Sequence, residues 1–587
     1  MRPEYNIVKH LAGKVCLSFI IEMIIGSGCI INAQDLGAIG NEKNPFKING
    51  GISLSQTFYK SSDSISRRDP YNYYLSGNLN LSLYGWNVPL SFNYSNHKAT
   101  FTQPFNNYSL HPRYKWVSTH IGYTTMSFSP YSLNGHLFLG AGVELAPDGP
   151  FTFSAMAGRL RKAFECDTLS ETAPPPVYER WGYGFKSGYK FKFAPDASAN
   201  VSLSVFHAAD KAGSLKYVPD SSVYPGENLV IGTNLDVSIA GHYSISAELS
   251  SSAISRNMES DLERGSERAW KNVMGTMIGA NGTTSYFSAY RLNANYSADI
   301  FSVGLGYERI DPGYETFGAY YFNSDMQNVT INGSLRLLEN KVSFAASTGR
   351  QNDNLDKQKI SKMNRWVTAL NLGFSPNEKF NGSLSYSTFN SFMNIRSQFV
   401  DINQLTQYDN LDTLNFTQLS TTISGSMSYV IGTSDKVRQN ASLNLNYQRS
   451  SEEQNGADTL GSSGFYNMSA MYGYSLVPLA LTLSLSMNAS ISNMPGIDNT
   501  TIGPSLSLNK LMFEKKLRNT LAVSYNRSYT NGDAINRIFN IRAGCGYRLG
   551  KHHNLSLNLT YMNRRTLAGE HDAINEFIGS FIYSMNL

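Results

Sequence analysis

The sequence predicts an all-β protein, a single transmembrane up-and-down antiparallel β-barrel of about 24 strands, with about 22 to 26 as the range. Two observations predict this fold. Segments of about ten residues alternate strictly between apolar and polar side chains. The connections between these segments alternate between short and long, which predicts short periplasmic turns and long extracellular loops.

The composition excludes several other classes. The chain has 587 residues, of which 16% are charged and 12% aromatic, and its net charge is +5. Ordinary soluble domains carry about 25% charged residues. The aromatic content argues against disorder, and the predicted mature chain has no apolar run of about 18 residues that could form a membrane helix. Nucleic-acid-binding proteins usually carry a strongly basic patch, and a net charge this small over this length does not indicate one, so no nucleic-acid partner is expected.

The alternation has a period of two. In residues 479–491 every odd position is Leu, Met, Ala or Ile, and every even position is Ala, Thr, Ser or Asn. Residues 181–193 and 577–587 show a similar pattern. This period predicts strands with two chemically different faces. Because the polar face holds Asn, Ser, Thr and Gly more than Lys and Glu, it suits a barrel interior better than the wetted face of a sandwich.

The connections are sorted by length along the chain. The short ones are centred on Gly85, Asp148, Pro195, Gly241, Ala298, Glu339, Asn377, Thr433, Pro478, Lys515 and Lys551. The long ones are 60–71, 98–115, 161–177, 209–228, 251–281, 310–325, 350–363, 390–417, 450–462, 493–501, 529–533 and 564–573. The alternation of short and long connections is interrupted within 98–160, where we expect 116–128 to be a loop folded into the barrel.

The first 33 residues predict a secretory signal peptide, with a basic flank, a short apolar run and cleavage after Ala33. Lipidation at Cys29 is the alternative. Residues 34–46 would form a short periplasmic segment, and 47–587 a single outer-membrane barrel. Since the first strand begins near Phe46, about a dozen residues after the cleavage site, we expect no N-terminal plug domain of the kind found in large transporters.

Five basic side chains are candidates for lumen charges that would set an anion preference. They are Arg159, Arg161, Lys186, Lys190 and Lys192, with the two arginines on one strand face and the three lysines on another. The alternative is that such charges pair with acidic residues, for example Glu308 or Asp311, inside a filled barrel.

Signals for chemistry are few. The sequence contains no His-Glu-x-x-His, no Gly-x-Ser-x-Gly and no complete phosphate loop, so we expect neither an enzyme nor a cofactor. One loop has enough oxygen ligands for calcium, but its spacing is not that of an EF-hand. These candidates are Asp401, Asn403, Asp409 and Asp412.

The loop 251–281 could contain a helix. Met258, Leu262, Ala269 and Val273 fall on one helical stripe. A short helix that caps the barrel or folds inward is one interpretation of this loop. A disordered surface loop is the other.

Two parts of the chain are rich in Pro, Tyr, Phe and Asn and lack strand alternation. The first contains 103–112 (QPFNNYSLHP), 128–136 (FSPYSLNGH) and 142–145 (GVEL); the second contains 309–314 (RIDPGY) and 318–325 (GAYYFNSD). They resemble segments of large uncharacterised outer-membrane β-barrel proteins of the Bacteroidota. The resemblance covers under a fifth of the chain and implies fold and location, but no activity. The residues themselves predict specifically folded loops, where binding functions are common.

Together these features predict a non-enzymatic barrel in the outer membrane of a Gram-negative bacterium. Its function would be that of a porin-like channel or a transport or binding protein without an N-terminal plug. The alternative is a structural or assembly partner of a surface, secretion or adhesion apparatus, with a filled lumen. Expected partners are outer-membrane lipid and other envelope proteins, and the sequence leaves the ligand open.

Overall fold

The computed structural model describes residues 46–63, 68–96, 107–165, 176–216, 223–262, 269–320, 322–358, 364–388, 419–451, 453–454, 457–458, 463–567 and 573–587. In these ranges 26 antiparallel wall strands form one sheet, and the first strand pairs with the last, so the sheet closes into a barrel. The predicted signal peptide, including Cys29, lies outside the described residues and stays a prediction.

The secondary structure is almost entirely strand. In chain order the elements are β1 Phe46–Ser61, β2 Tyr71–Leu83, β3 Trp86–Ser95, β4 Asn107–Leu110, β5 Arg113–Tyr114, β6 Val117–Ser127, β7 Asn134–Leu145, β8 Phe151–Arg161, β9 Arg180–Ala194, β10 Ala197–Asp210, β11 Glu227–Ile239, β12 Tyr243–Ser255, α1 Ala269–Met277, β13 Thr284–Ser297, β14 Phe301–Ile310, β15 Met326–Leu337, β16 Val342–Asn352, β17 Asn364–Asn377, β18 Phe380–Ser387, β19 Leu419–Thr433, β20 Val437–Ser451, β21 Glu453–Gln454, β22 Ala457–Asp458, β23 Ser463–Leu476, β24 Leu481–Met494, β25 Ile497–Met512, β26 Leu517–Thr530, β27 Asp533–Leu549, β28 His553–Thr566 and β29 Ile574–Asn586. β21 and β22 pair only with each other and lie outside the wall.

Strand β9 shows how the sequence pattern makes a wall. Trp181, Tyr183 and Phe185 are exposed on the outward face. The alternating positions Gly182 and Gly184 face the lumen, where a β-carbon would meet side chains packed inside the barrel. Strand β9 is therefore apolar on its outward face and small or charged on its inward face, and this alternation is the period of two expected from the sequence.

The wall has more strands than the predicted number of about 24, although 26 lies within the expected range. The assignments of 98–115 and 116–128 to loops are wrong, because β4 with β5 forms one wall strand and β6 forms the next. The reason lies at His111 and Pro112, between β4 and β5. Proline cannot donate a ladder hydrogen bond, so the strand is interrupted there and its alternation is lost.

The connections alternate between the two ends of the barrel. We call one end the turn end, where all twelve connections have two to five residues, and the opposite one the loop end. Two connections at the loop end are shorter than predicted, since 493–501 and 529–533 reduce to two-residue turns at 495–496 and 531–532. Asn531 and Gly532 have φ values of 50° and 90°, the type I′ geometry that Asn-Gly favours in a hairpin.

Helix α1 lies on the outside of the barrel. Met274 of the helix and Ile278, just past its end, pack against Leu229 of β11 and Ala253 of β12. These two wall residues alternate with inward residues of their strands, so they point outward. The helix neither caps the barrel nor folds inward. The predicted stripe is wrong, because Leu262 and Val273 are exposed and the side chains that pack on the outward wall are Met274 and Ile278. Among the described residues, no helix has the length and apolarity to cross a membrane.

Candidate functional site

Two loops from the loop end fold back into the lumen. Loop A is residues 128–133, between β6 and β7, and loop B is residues 311–320 and 322–325, between β14 and β15. They share one buried cluster with inward wall residues: Met126, Phe128, Leu133, Phe138, Met156, Leu160, Phe206, Ala208, Ile254 and Phe317. Both loops belong to the two parts of the chain that the sequence singles out as specifically folded loops. That prediction is wrong for 107–110 and 142–145, which lie in strands β4 and β7. The lumen beside β6–β14 is thus occupied by the chain's own loops.

Loop A is a tight turn that points aromatic groups inward. The Ser132 amide donates to the Ser129 carbonyl across 3.2 Å, and Pro130 holds the second position of this turn. The Ser129 hydroxyl accepts a hydrogen bond from the amide of Tyr131 at 3.0 Å. With Tyr131 only 1% exposed and Leu133 fully buried, the turn is anchored by its own side chains.

Loop B begins with a second tight turn. The Tyr314 amide donates to the Asp311 carbonyl across 3.1 Å, and Gly313 between them has a φ of +80°. Proline followed by glycine at the two central positions is typical of a type II turn. The Asp311 carboxylate accepts from the Ser288 amide on β13 at 2.9 Å, so the turn is fixed to the wall.

The two loops bind each other through backbone and side-chain hydrogen bonds. The Tyr314 hydroxyl donates to the Tyr131 carbonyl at 2.8 Å, and the Thr316 hydroxyl donates to the Ser132 carbonyl at 2.9 Å. The Asn134 amide donates to the Gly318 carbonyl at 2.9 Å. Segments about 180 residues apart in the chain therefore form one unit inside the barrel.

We expect Gly318→Val to displace loop B. A β-carbon at Gly318 would lie 2.6 Å from the Ser132 carbonyl oxygen and 2.8 Å from the Leu133 α-carbon, so backbone must move. Chymotrypsin should then cleave at the buried residues Tyr314 and Phe317, which the parent protein protects. Gly279→Val is the matched control, because nothing lies within 4 Å of a β-carbon there. Equal protection of both variants would contradict the packing described above.

Charged wall residues surround the tip of loop A. The Tyr131 hydroxyl donates to the Glu308 carboxylate at 2.5 Å, and the Ser129 hydroxyl donates to Glu248. Arg291 on β13 pairs with Glu308 at 2.5 Å and also lies 5.3 Å from the Tyr131 ring centre. Loop A is therefore held by groups from several strands.

The Tyr131 phenol stays protonated in this setting. Burial raises its pKa, and the neighbouring Glu308 carboxylate raises it further. A neutral phenol can donate to Glu308, whereas a phenolate would repel it. The contact is therefore a hydrogen bond from a neutral phenol at neutral pH.

A second charged cluster fixes loop B at the loop end. The Asp210 carboxylate accepts from Arg180 at 2.8 and 2.9 Å and from Arg161 at 3.2 Å. It also accepts from the Gly226 amide at 3.1 Å. The Arg180 guanidinium lies 3.3 Å from the Phe317 ring centre of loop B, a cation–π contact. We call Asp210, Arg161 and Arg180 the Asp210 latch.

The structure separates the two predicted arginine candidates. The register pairs Arg159 with the outward residue Trp181, and Arg159 forms an ion pair with Glu179 at 3.6 Å. A bulge between Arg159 and Arg161 turns Arg161 inward. The two arginines thus do not share a face, contrary to the prediction, and Arg159 does not line the lumen.

The three predicted lysines lie on the inward face of β9 but differ in their surroundings. Lys186 donates to the Phe128 carbonyl of loop A at 2.7 Å. Lys190 and Lys192 are exposed nearer the turn end, and they form no ion pair with any described residue. The three lysine candidates therefore differ in role: Lys186 holds loop A, whereas Lys190 and Lys192 face open lumen.

The calcium candidates Asp401, Asn403, Asp409 and Asp412 lie outside the described residues. In the part of the chain that the structure describes, no group of three or more His, Cys, Asp or Glu side chains is arranged to hold a metal ion.

The sequence reasoning missed the residues that hold the two loops in place. These are Arg180, Asp210, Glu248, Arg291 and, as a partner of Tyr131, Glu308. A signal was present for all but Arg180, because each of the others is the one charged residue among the inward positions of its strand. Arg180 shares the inward face of β9 with three lysines and does not stand out in this way.

Comparison with known proteins gives limited help. No family model and no curated protein matches the chain. Among solved structures, the FrpB iron transporter from Neisseria meningitidis (F5-1 variant) has 11% identity and a TM-score of 0.36, covering 91% of this chain and 82% of that chain. The translocation pore of the P pilus usher PapC has 11% identity and a TM-score of 0.35, covering 92% and 98%. OccAB2 from Acinetobacter baumannii has 8% identity and a TM-score of 0.28, covering 67% and 98%. These values are too low to transfer any function.

Proposed function

We propose that this protein is a non-enzymatic transport channel in the outer membrane of a Gram-negative bacterium. The outward face would contact lipid, the loop end would face the outside and the turn end the periplasm. In this proposal the constriction comes from loops A and B and not from a separate N-terminal plug. The transported ligand is left open.

One observation carries the proposal. Loops A and B occupy the lumen beside β6–β14, and the inward face of β24, outside this region, presents small uncharged polar groups. On β24 these are Thr482, Ser484, Ser486, Asn488 and Ser490. Such a strand face offers hydroxyl and amide groups to a solute. The arrangement supports a polar passage narrowed from one side.

The test is single-channel conductance of the purified protein in a planar bilayer, with mass spectrometry of the same preparation for bound proteins. We expect discrete, stable openings, because a polar passage beside the loops lets ions through. A barrel that stays silent and carries partner proteins in a fixed ratio would contradict the channel and favour an assembly role.

A further inference from the structure

A second feature of the lumen lies at the turn end, away from loops A and B. Eight basic side chains point inward there, each within the last five residues of its strand at that end. We call them the basic band: Lys47, Arg113, Lys190, Lys192, Arg336, Arg438, Arg518 and Arg548. All eight are exposed.

The strand register places the band on the inward face. In antiparallel strands, directly paired residues point to the same side of the sheet. Arg336 pairs with Ser343, Arg438 with Ser475, and Arg548 with Asn554, all of which belong to the polar face. The other members pair with Ser82, Ser118, Ser198, Asn200 and Gly546.

The charge of the band is not balanced by its surroundings. At this level of the described wall only Glu144 and Asp236 point inward with negative charge, and no member of the band forms an ion pair with a described residue. By contrast, the twelve short connections beside the band hold seven acidic and seven basic residues. The excess positive charge is therefore specific to the lumen wall.

The spacing of the band indicates the size of its ligand. Its members lie on β1, β5, β9, β15, β20, β26 and β27, and the widest gap, from β9 to β15, is six strand steps. At about 4.8 Å per strand that gap is about 29 Å, well beyond the Debye length of about 8 Å at physiological salt. A small anion in the middle of the lumen opening at the turn end would be screened from most of this charge. A thin chain would touch only one side.

The width of the mouth leads to the same conclusion. A round barrel of 26 strands tilted by about 40° is roughly 50 Å across between opposite backbones. Only a folded body tens of ångströms wide can contact opposite sides of the band at once. Five of the eight members are arginines, whose guanidinium groups bind carboxylates in a bidentate manner.

We propose that the turn end of the lumen is a docking site for a folded acidic protein domain from the periplasm. The proposal rests on the orientation given under Proposed function. It adds a partner to that function, because the same mouth that opens the passage would receive the domain. Binding would be electrostatic and would weaken steeply with salt.

The test uses a negatively supercharged fluorescent protein as the folded probe and poly-L-glutamate as the thin one. Binding to the detergent-solubilised barrel is measured by fluorescence at low and at physiological salt. Two charge-reversal variants address opposite sides of the band, Lys190→Glu/Lys192→Glu and Arg518→Glu/Arg548→Glu. We expect each to weaken binding of the folded probe roughly tenfold. Since all four residues are exposed, the variants should fold, and heat-modifiable gel mobility verifies this.

The control is Lys379→Glu/Lys436→Glu, which makes the same charge change in two short turns outside the band. Equal weakening by the control would overturn the proposal, because overall charge would then explain binding. If only one of the two charge-reversal variants weakens binding, and poly-L-glutamate binds as tightly as the folded probe, the ligand would be a thin polyanion. That result would also overturn the proposal. No binding at low salt would also overturn it. If the protein shows no channel conductance but binds the folded probe, and both charge-reversal variants weaken that binding, the channel would be refuted and the docking site would stand.

Discussion

The double variant Tyr131→Ala/Phe317→Ala should conduct several times more current than the parent protein. Tyr131 is 1% exposed and Phe317 8% exposed, and each is the aromatic anchor of one lumen loop. Removing a buried aromatic side chain costs about 3–5 kcal/mol. Because the loops are held in the lumen by such contacts, this loss should release both loops from the wall. Single-channel conductance in a planar bilayer measures the result.

The matched control is Tyr224→Ala. This tyrosine also lies in a loop at the loop end but is 50% exposed, so its removal should leave the conductance unchanged. Chymotrypsin cleavage within loop B reports independently whether the loops have left the wall. Released loops with unchanged conductance would contradict the idea that loops A and B narrow the passage.

The general architecture could be predicted because the strand pattern is local. A period of two and alternating connection lengths are visible along 479–491 and in most of the chain. The prediction failed where another local rule intervened. Pro112 interrupts the pattern between β4 and β5, and the Asn531-Gly532 turn makes a connection shorter than its polar sequence indicates.

One contact of the candidate site could have been derived from the sequence. The turn between β13 and β14 sets the register that pairs Ser297 with Ser302, and the same register brings Arg291 opposite Glu308. A hairpin with a known turn fixes every pair along its strands. The opposite charges on two inward positions would then have indicated an ion pair.

The Asp210 latch could not be derived in this way. A bulge near Ala197 shifts the register of β9 and β10 by one residue, and only this shift pairs Asp210 with Arg180. A second bulge turns Arg161 toward the same carboxylate. Bulges leave little trace in a single sequence, so the shared inward face of these residues was missed.

The packing of loop A on loop B was also beyond the sequence. The segments were marked as specifically folded by their Pro, Tyr and Phe content. Their contact joins Tyr131 and Tyr314, about 180 residues apart. No period or turn rule relates such distant positions, and only closure of the whole barrel brings them together.

Asp210→Ala should destabilise the loop end more than any other single charge removal in the described part of the site. The Asp210 side chain is 4% exposed, and its loss leaves Arg161 and Arg180 without their shared counter-charge. Breaking a buried ion pair by removing one partner costs about 3–5 kcal/mol. We expect a lower unfolding temperature in heat-modifiable gel mobility and new chymotrypsin cleavage at Phe317, whose ring packs on Arg180.

Two further variants separate the lost charge balance from lost packing. Asp236→Ala removes an exposed carboxylate from the same inward face and should change stability by no more than about 0.5 kcal/mol. The triple variant Arg161→Met/Arg180→Met/Asp210→Leu replaces the latch with apolar groups of similar volume, which often restores stability. If the triple variant is as unstable as Asp210→Ala, the latch acts through its specific hydrogen bonds. If it recovers, the cost of Asp210→Ala comes from the two arginines left unpaired.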